Sequence, residues 1–154
     1  MANNATYITV TGNLTRDPEG AFTASGVFRA RISIAVTPRR FDKQAGEWTD
    51  GETTFWDATA WRALGEHVAE SLNKGDRVIA TGTVTTHRWQ DEATGEPRSR
   101  VVLDLEDIGP SLAWATTNVA KATRTNGRSS GARSAPAGDA WAVNGPTADN
   151  DVPF

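Results

Sequence analysis

The segment 53-TTFWDATAWRALGEHVAESLNKGDRVIATGTVTT-86 decides the fold, because its periodicity changes twice. Its first nine residues alternate between two faces, which predicts a β-strand. The next twelve carry an aliphatic residue at every fourth position, Leu64, Val68 and Leu72, which predicts an amphipathic helix that 73-NKGD-76 ends. The last ten alternate again. The segment therefore predicts a strand, a helix and a second strand.

Alternating segments that predict further strands lie at 6–14, 27–36 and 98–108. Gly12 predicts a bulge or bend in the first of them. Residues 15–20 are expected to form a loop, and the polar residues 37–53 a long hairpin-like excursion. Three strands, one helix and two strands is the order of an OB fold. We therefore predict an all-β protein, a five-stranded OB-fold barrel with one helix between strands three and four and long hairpin loops. Another small sheet with one helix is the alternative.

The composition changes near residue 119, where Ala, Gly, Ser, Thr, Asn and Pro begin to dominate. A segment with so little apolar surface cannot offset the entropy of ordering, so we expect a disordered C-terminal tail. The predicted organisation is a folded domain over 1–118, a disordered linker over 119–148 and a short acidic and apolar tip over 149–154.

Bulk composition excludes several classes of protein. The chain has 154 residues and no cysteine, which excludes disulfides and thiolate metal sites. Neither a signal peptide nor a membrane-spanning run is visible, so we expect a cytoplasmic protein without a membrane partner. The net charge is −3, and residues 1–113 hold 12 Lys and Arg against 16 Asp and Glu. A polyanion would therefore have to bind a local basic surface.

Catalytic patterns are absent from the sequence. The two histidines are His67, on the predicted helix, and His87. The stretch around His67 is not HExxH, and no phosphate-binding loop or GxSxG motif occurs. We predict no enzymatic activity, no catalytic residue, no metal and no cofactor. A small nuclease or esterase is the alternative that this argument leaves open.

Aromatic and cationic residues give a more specific signal. Phe55 and Trp61 share one face of their strand with Asp57 and Thr59, and aromatic rings on a polar face are suited to stacking. Rings also occur beside cations in 39-RRFDK-43 and 87-HRW-89. Rings stack on any base and cations meet phosphates, so this pattern predicts a single-stranded nucleic-acid interface. The predicted stacking residues are Phe41, Phe55, Trp61 and Trp89. The candidate phosphate contacts are Arg29, Arg31, Arg39, Arg40, Lys43, Arg88, Arg98 and Arg100.

Each of these assignments has an alternative. If the strand is turned over, Phe55 and Trp61 face the core and Trp56 is exposed. Arg29 and Arg31 face solvent in either case, where they would contact phosphate or only water. For Trp48, packing within the hairpin and base stacking remain open. The same rings would also serve an RNA-binding or oligosaccharide-binding OB protein.

Five segments together resemble bacterial single-stranded DNA-binding proteins of the actinobacterial type. They are 8-ITVTGNLTRDPE-19, 41-FDKQAGEW-48, 61-WRALGEHVAESLNKGDRVIATGTV-84, 87-HRW-89 and 106-EDIGPSLAWAT-116. The resemblance implies an OB fold and stacking roles for the four rings. It implies a homotetramer that coats single-stranded DNA in replication, recombination and repair, located at the nucleoid. Trp56 and Trp114 become candidate subunit contacts, the latter in an extra subunit-clamping strand near 108–116.

The last residues, 149-DNDVPF-154, also resemble this family. In the family such a tip docks replication, recombination and repair proteins. The resemblance assigns partner docking here to Asp149, Asp151, Val152, Pro153 and Phe154. Asn150 dilutes the usual acidic run and Val152 replaces a bulkier aliphatic residue, so we expect weaker docking than is typical.

Overall fold

The computed structural model describes residues 4–123. The chain divides into two units, Met1–Asn118 and Val119–Phe154. Within the described residues the first unit holds all regular structure, and residues 119–123 form neither helix nor strand. The predicted tip and the predicted linker from residue 124 onward lie outside the described residues.

Eight strands and one helix make up the first unit. They are β1 (Thr6–Leu14), β2 (Glu19–Phe22), β3 (Phe28–Val36), β4 (Arg39–Asp42), β5 (Glu47–Asp50), β6 (Thr54–Trp61), α1 (Arg62–Ser71), β7 (Arg77–Gln90) and β8 (Pro97–Pro110). Helix α1 has ten residues. In the part of the chain that the structure describes, no helix has the length and apolar character needed to cross a bilayer.

Five strands form a closed ring. The main sheet has the order β1-β7-β8-β6-β3-β2, and β1 also pairs with β3. Neighbours in the ring are antiparallel except β6 and β8, which are parallel. Helix α1 joins β6 to β7, the third and fourth strands of the ring. This is the OB-fold arrangement, so the predicted fold is confirmed.

The ring closes at the end of β1. Residues Thr6 to Asn13 pair with β7, and Asn13 and Leu14 also pair with β3. A Cβ atom at Gly12 would overlap the carbonyl oxygen of Ala35 on β3. Glycine is therefore required by this close approach. Gly12 itself pairs in register with β7, and the irregularity in the β7–β8 pairing lies instead between Thr81 and Gly82.

The core lies inside the ring and under the helix. Alternate residues of β3 point inward, and Ile32 and Ile34 are among the largest fully buried side chains. Val68 and Leu72 cover one end of this cluster with the partly buried Leu64. Leu64 and Val68 therefore form the apolar side of the helix, as predicted, and Leu72 joins the core directly after the last helical residue, Ser71.

Two differences from the predicted elements concern the strands outside the core. The segment 19-EGAF-22, partly assigned to a loop, forms β2 against the edge of β3. All four of its residues are exposed, so no alternation marks it in the sequence.

Strand β7 continues to Gln90, past the predicted end at residue 86, and β8 begins at Pro97, one residue before the predicted start. The two strands pair over this extension as a projecting hairpin. The predicted excursion contains a second hairpin, β4–β5.

We predict that Gly12→Ala destabilises the barrel. The new methyl group would push β3 away from β1 at the point of closure, and forcing extra atoms into a packed site costs about 1–3 kcal/mol. Urea denaturation at a fixed protein concentration measures the change in the free energy of unfolding.

Gly109→Ala is the matched control, because a Cβ atom there meets nothing within 4 Å. It should change the free energy of unfolding by no more than about 0.5 kcal/mol. Equal stability of the two variants would contradict the role given to Gly12.

Candidate functional site

Strand β6 presents two different faces. Ala58 and Ala60 belong to the core, and Trp56 packs against it. Phe55 lies on the other face and is 67% exposed, and Trp61 on that face is half-buried. The orientation with Phe55 and Trp61 outward is therefore the observed one, and the reversed orientation is wrong.

A groove of about 580 Å³ runs over this outward face. Side chains of β2, β3, β6, β7 and β8 and of the β1–β2 connection line it. They are Arg16, Glu19, Arg29, Arg31, Ile32, Asp57, Ala58, Thr59, His87, Arg88, Trp89, Arg100 and Val102. Thr59 also lies on the outward face. It is buried and lines the groove.

Strand register explains why cations and rings lie side by side here. Arg29 is directly opposite Trp61, and Arg31 is opposite Thr59. Residues opposite each other in an antiparallel pair project to the same side of the sheet. The Arg29 guanidinium lies over the Trp61 ring at 5.8 Å from its centroid, a cation–π contact.

The groove is basic although the domain is acidic. Arg16, Arg29, Arg31, Arg88 and Arg100 line it with the carboxylates Glu19 and Asp57, a local net charge of +3 with His87 neutral. Over residues 1–113 the net charge is −4, from 12 cationic and 16 anionic side chains. The groove therefore provides the local basic surface that a polyanion requires.

Ion pairs divide the groove arginines into two sets. Arg16 lies 3.7 Å from Glu19, and Arg100 lies 3.2 Å from Asp57. Among the described residues no carboxylate lies within 4.0 Å of the other three, which are Arg29, Arg31 and Arg88. These three guanidinium groups have their charge available for a ligand.

Trp89 lies on the projecting β7–β8 hairpin. It is 46% exposed, lines the groove and is directly opposite Arg98. Arg98 contacts Asp91 at 2.8 Å, at the turn of the hairpin. The hairpin thus brings the Trp89 ring to the groove, while the Arg98 guanidinium opposite it is paired with Asp91.

The β4–β5 hairpin carries a separate aromatic pair. Phe41 and Trp48 are directly opposite each other, and their rings meet edge to face with centroids 5.6 Å apart. Both remain at least half exposed. Trp48 therefore packs within the hairpin, as one alternative proposed, and still offers ring surface to solvent. Phe41 does not line the groove.

The cations of this hairpin have different surroundings. Arg39 pairs with Asp50 at 3.4 Å. Arg40 and Lys43 are exposed, and no carboxylate within the described residues lies within 4.0 Å of either. The hairpin forms a sheet of its own, so the structure does not join these three cations to the groove.

The sequence pattern did not identify Arg16 and His87 as interface residues. Arg16 fell in a predicted loop, and only the approach of β2 to β3 brings it to the groove. His87 was considered only as a catalytic candidate, although its neighbours Arg88 and Trp89 were assigned to the interface. Its Nε2 lies 3.9 Å from Oδ2 of Asp104, which accepts a hydrogen bond from Thr85 at 2.7 Å.

The candidate subunit contacts have unequal surroundings. Trp56 is partly buried against the core of its own barrel. Trp114 is 81% exposed, with Arg77 over its ring at 4.7 Å. Residues 111–118 contain no strand in the isolated chain, so the extra strand stays a prediction about the assembled protein.

The comparisons with known proteins agree with this geometry. The model of the Single-strand binding protein family matches residues 5–111. The single-stranded DNA-binding protein of Mycobacterium tuberculosis is 47% identical over 137 residues, covering 89% of this chain and 82% of its own. That of Paenarthrobacter nicotinovorans is 46% identical, covering 92% and 88%.

A solved structure gives the same indication. The crystal structure of a small single-stranded DNA-binding protein from Streptomyces coelicolor superposes with a TM-score of 0.60 at 33% identity. The match covers 71% of this chain and 97% of that one.

The packed position of Trp56 and the exposed position of Trp89 predict unequal effects on stability. Trp56→Ala removes a ring that packs on the core and should lower the melting temperature by roughly 10 °C. Trp89→Ala removes an exposed ring and should change it by less than about 3 °C. Thermal unfolding followed by circular dichroism, at one protein concentration, measures both. A larger loss for Trp89→Ala would show that the hairpin ring is structural.

Proposed function

The chain belongs to the single-strand binding protein family, and we propose that it binds single-stranded DNA without sequence preference. It coats strands exposed during replication, recombination and repair, prevents them from re-pairing and shields them from nucleases. The observation that carries this proposal is the groove, which five arginines, two carboxylates and Trp89 line, with Trp61 next to it under the guanidinium of Arg29.

The chemistry of the groove matches that ligand. A flat ring stacks on any base, because every base has a π face, and a guanidinium group meets a phosphate whatever the sequence. We assign stacking to Trp89 in the groove, to Trp61 and Phe55 on the outward face of β6, and to Phe41 on the β4–β5 hairpin. Each base–aromatic stack contributes about 1–3 kcal/mol. Four stacks are enough to outweigh the unfavourable net charge of the domain.

We rank the candidate phosphate contacts by whether a carboxylate already pairs with each cation. Arg29, Arg31 and Arg88 are the best candidates, because they line the groove and no carboxylate of the described residues lies within ion-pair distance. Arg40 and Lys43 would extend the contact along the β4–β5 hairpin. Arg39, Arg98 and Arg100 are paired with carboxylates and would contribute less.

The choice of DNA over RNA rests on the relatives, since rings and arginines serve both. The proposed mechanism is binding without chemistry, so it needs no cofactor, nucleotide or metal. Within residues 4–123 no group of three or more His, Asp or Glu side chains could hold a metal ion.

Self-association and partner docking complete the proposal. A homotetramer would cover Trp114, which is largely exposed in the single chain. Trp56 would contribute less, because its ring already packs on its own core. At the tip, Phe154 would fill an apolar pocket of a replication, recombination or repair protein, and Pro153 would limit the conformations of the peptide. Asp149 and Asp151 would favour basic rims, and Val152 would add apolar contact. Such a protein would act at the nucleoid.

We predict that Trp61→Ala and Trp89→Ala each weaken binding of labelled oligothymidylate by about 5- to 150-fold, the loss of one stack. Fluorescence anisotropy across several salt concentrations measures the affinity. Trp141→Ala, a tryptophan outside the described residues, is the matched control and should bind like the parent chain.

Three results would count against the proposal. Unchanged affinity in both variants would place the interface on another face. Much tighter binding of poly(U) than of poly(dT) in matched salt would make RNA the ligand, and cleavage of labelled strands would reveal an enzyme.

Deletion of Phe154 should abolish the capture of replication and repair proteins from a bacterial lysate while oligothymidylate affinity stays at the parent value. The reason is that the ring supplies most of the apolar surface of the tip. Capture is measured by pull-down with the full-length chain. Retained capture would show that the tip has no docking role.

A further inference from the structure

The two carboxylates that line the groove are both paired with groove arginines. Asp57 Oδ2 lies 3.2 Å from Nη1 of Arg100, and Glu19 Oε1 lies 3.7 Å from Nε of Arg16. The Asp57 pair is the shorter of the two, and its carboxylate is the less exposed, 39% against 59% for Glu19. Asp57 is therefore the carboxylate that holds its arginine more firmly.

Asp57 lies in the middle of the proposed interface. On the outward face of β6 it is flanked by Phe55 on one side and by Thr59 and then Trp61 on the other. A strand that stacks on these rings would carry its phosphates past a fixed negative charge. Neither base stacking nor phosphate binding explains a carboxylate at this position.

We propose that Asp57 limits the affinity of the groove for single-stranded DNA by acting as an internal counterion for Arg100. The inference rests on the proposed function. A phosphate that approaches Arg100 must compete with the Asp57 carboxylate and is repelled by it. Arg100 lines the groove, but its charge is already compensated by the carboxylate 3.2 Å away.

The contrast with the neighbouring arginines supports this role. Arg29 and Arg31 lie on β3, across the groove from Arg100 on β8, and no carboxylate of the described residues lies within ion-pair distance of either. The groove thus offers free cationic charge at Arg29 and Arg31 of β3 and at Arg88 of β7, and compensated charge at Arg100. Phosphate contacts would concentrate on the three free arginines, and the strand would be held less tightly at Arg100. A coating protein gains from this arrangement, because the strand must later be released.

The test is Asp57→Asn, which removes the charge and keeps the shape of the side chain. We expect oligothymidylate to bind about three- to tenfold more tightly at low salt, because Arg100 gains a phosphate contact. The slope of log K against log salt should become steeper by about 0.7, the value for one more phosphate contact on a single strand. Anisotropy with a labelled oligothymidylate short enough for one groove gives both quantities.

Glu70→Gln is the matched control. Glu70 is exposed on α1 and does not line the groove, and its replacement changes the net charge by the same amount. Its affinity and slope should equal those of the parent chain. An equal gain in both variants would show a general charge effect and overturn the role of Asp57.

The double variant Asp57→Asn/Arg100→Gln tests whether the gain passes through Arg100. We expect its affinity and slope to return to about the parent values, whereas Arg100→Gln alone binds more weakly because Asp57 is left without its partner. A gain that persists in the double variant would overturn the proposal.

Two further outcomes are decisive and distinct. Weaker binding by Asp57→Asn, with an unchanged melting temperature, would mean that Asp57 positions Arg100 for phosphate, the opposite of the proposal. Failure of the parent chain to bind oligothymidylate at all would instead reject the proposed function, and this inference with it.

Discussion

The pairing of β1 with two different strands is the constraint on which the rest of the structure depends. Because Asn13 and Leu14 reach β3 while the preceding residues pair with β7, the sheet closes on itself. Closure brings β6 beside β8, two strands whose parallel pairing consists of only two residue pairs, Ala58 with Leu103 and Thr59 with Asp104. The groove lies over this short contact. A glycine that permits close approach of two backbones therefore governs the position of side chains far away in the sequence.

Closure also explains how an acidic domain acquires a basic groove. Alternation along β3 sends Ile32 and Ile34 into the core and Arg29 and Arg31 to the other side. The ring then brings Arg100 of β8 to the same opening. Of the 16 acidic side chains in residues 1–113, only Glu19 and Asp57 line this opening. Net charge is a sum over the whole surface, whereas a polyanion responds to the charge within about one Debye length, roughly 10 Å.

The sequence contains the parts of the fold that alternate against a core, and those parts were predicted. Strands β3 and β6, helix α1 and the outward position of Trp61 all follow from period-two or fourfold spacing. Strand β2 was not found, because all four of its residues are exposed and owe their conformation to pairing with β3. The Arg100–Asp57 contact was equally out of reach. It joins residues far apart in the sequence, and only the closed ring makes them neighbours.

The location of Asp57 is better explained by the groove than by the barrel. Its ion pair does connect β6 and β8 close to their short parallel contact, so it adds to the fold. Both side chains are more than a third exposed, however, and exposed ion pairs contribute only about 0.2–1 kcal/mol to stability. The fixed negative charge matters mainly to a charged ligand, and among the side chains that line the groove its immediate effect is on Arg100.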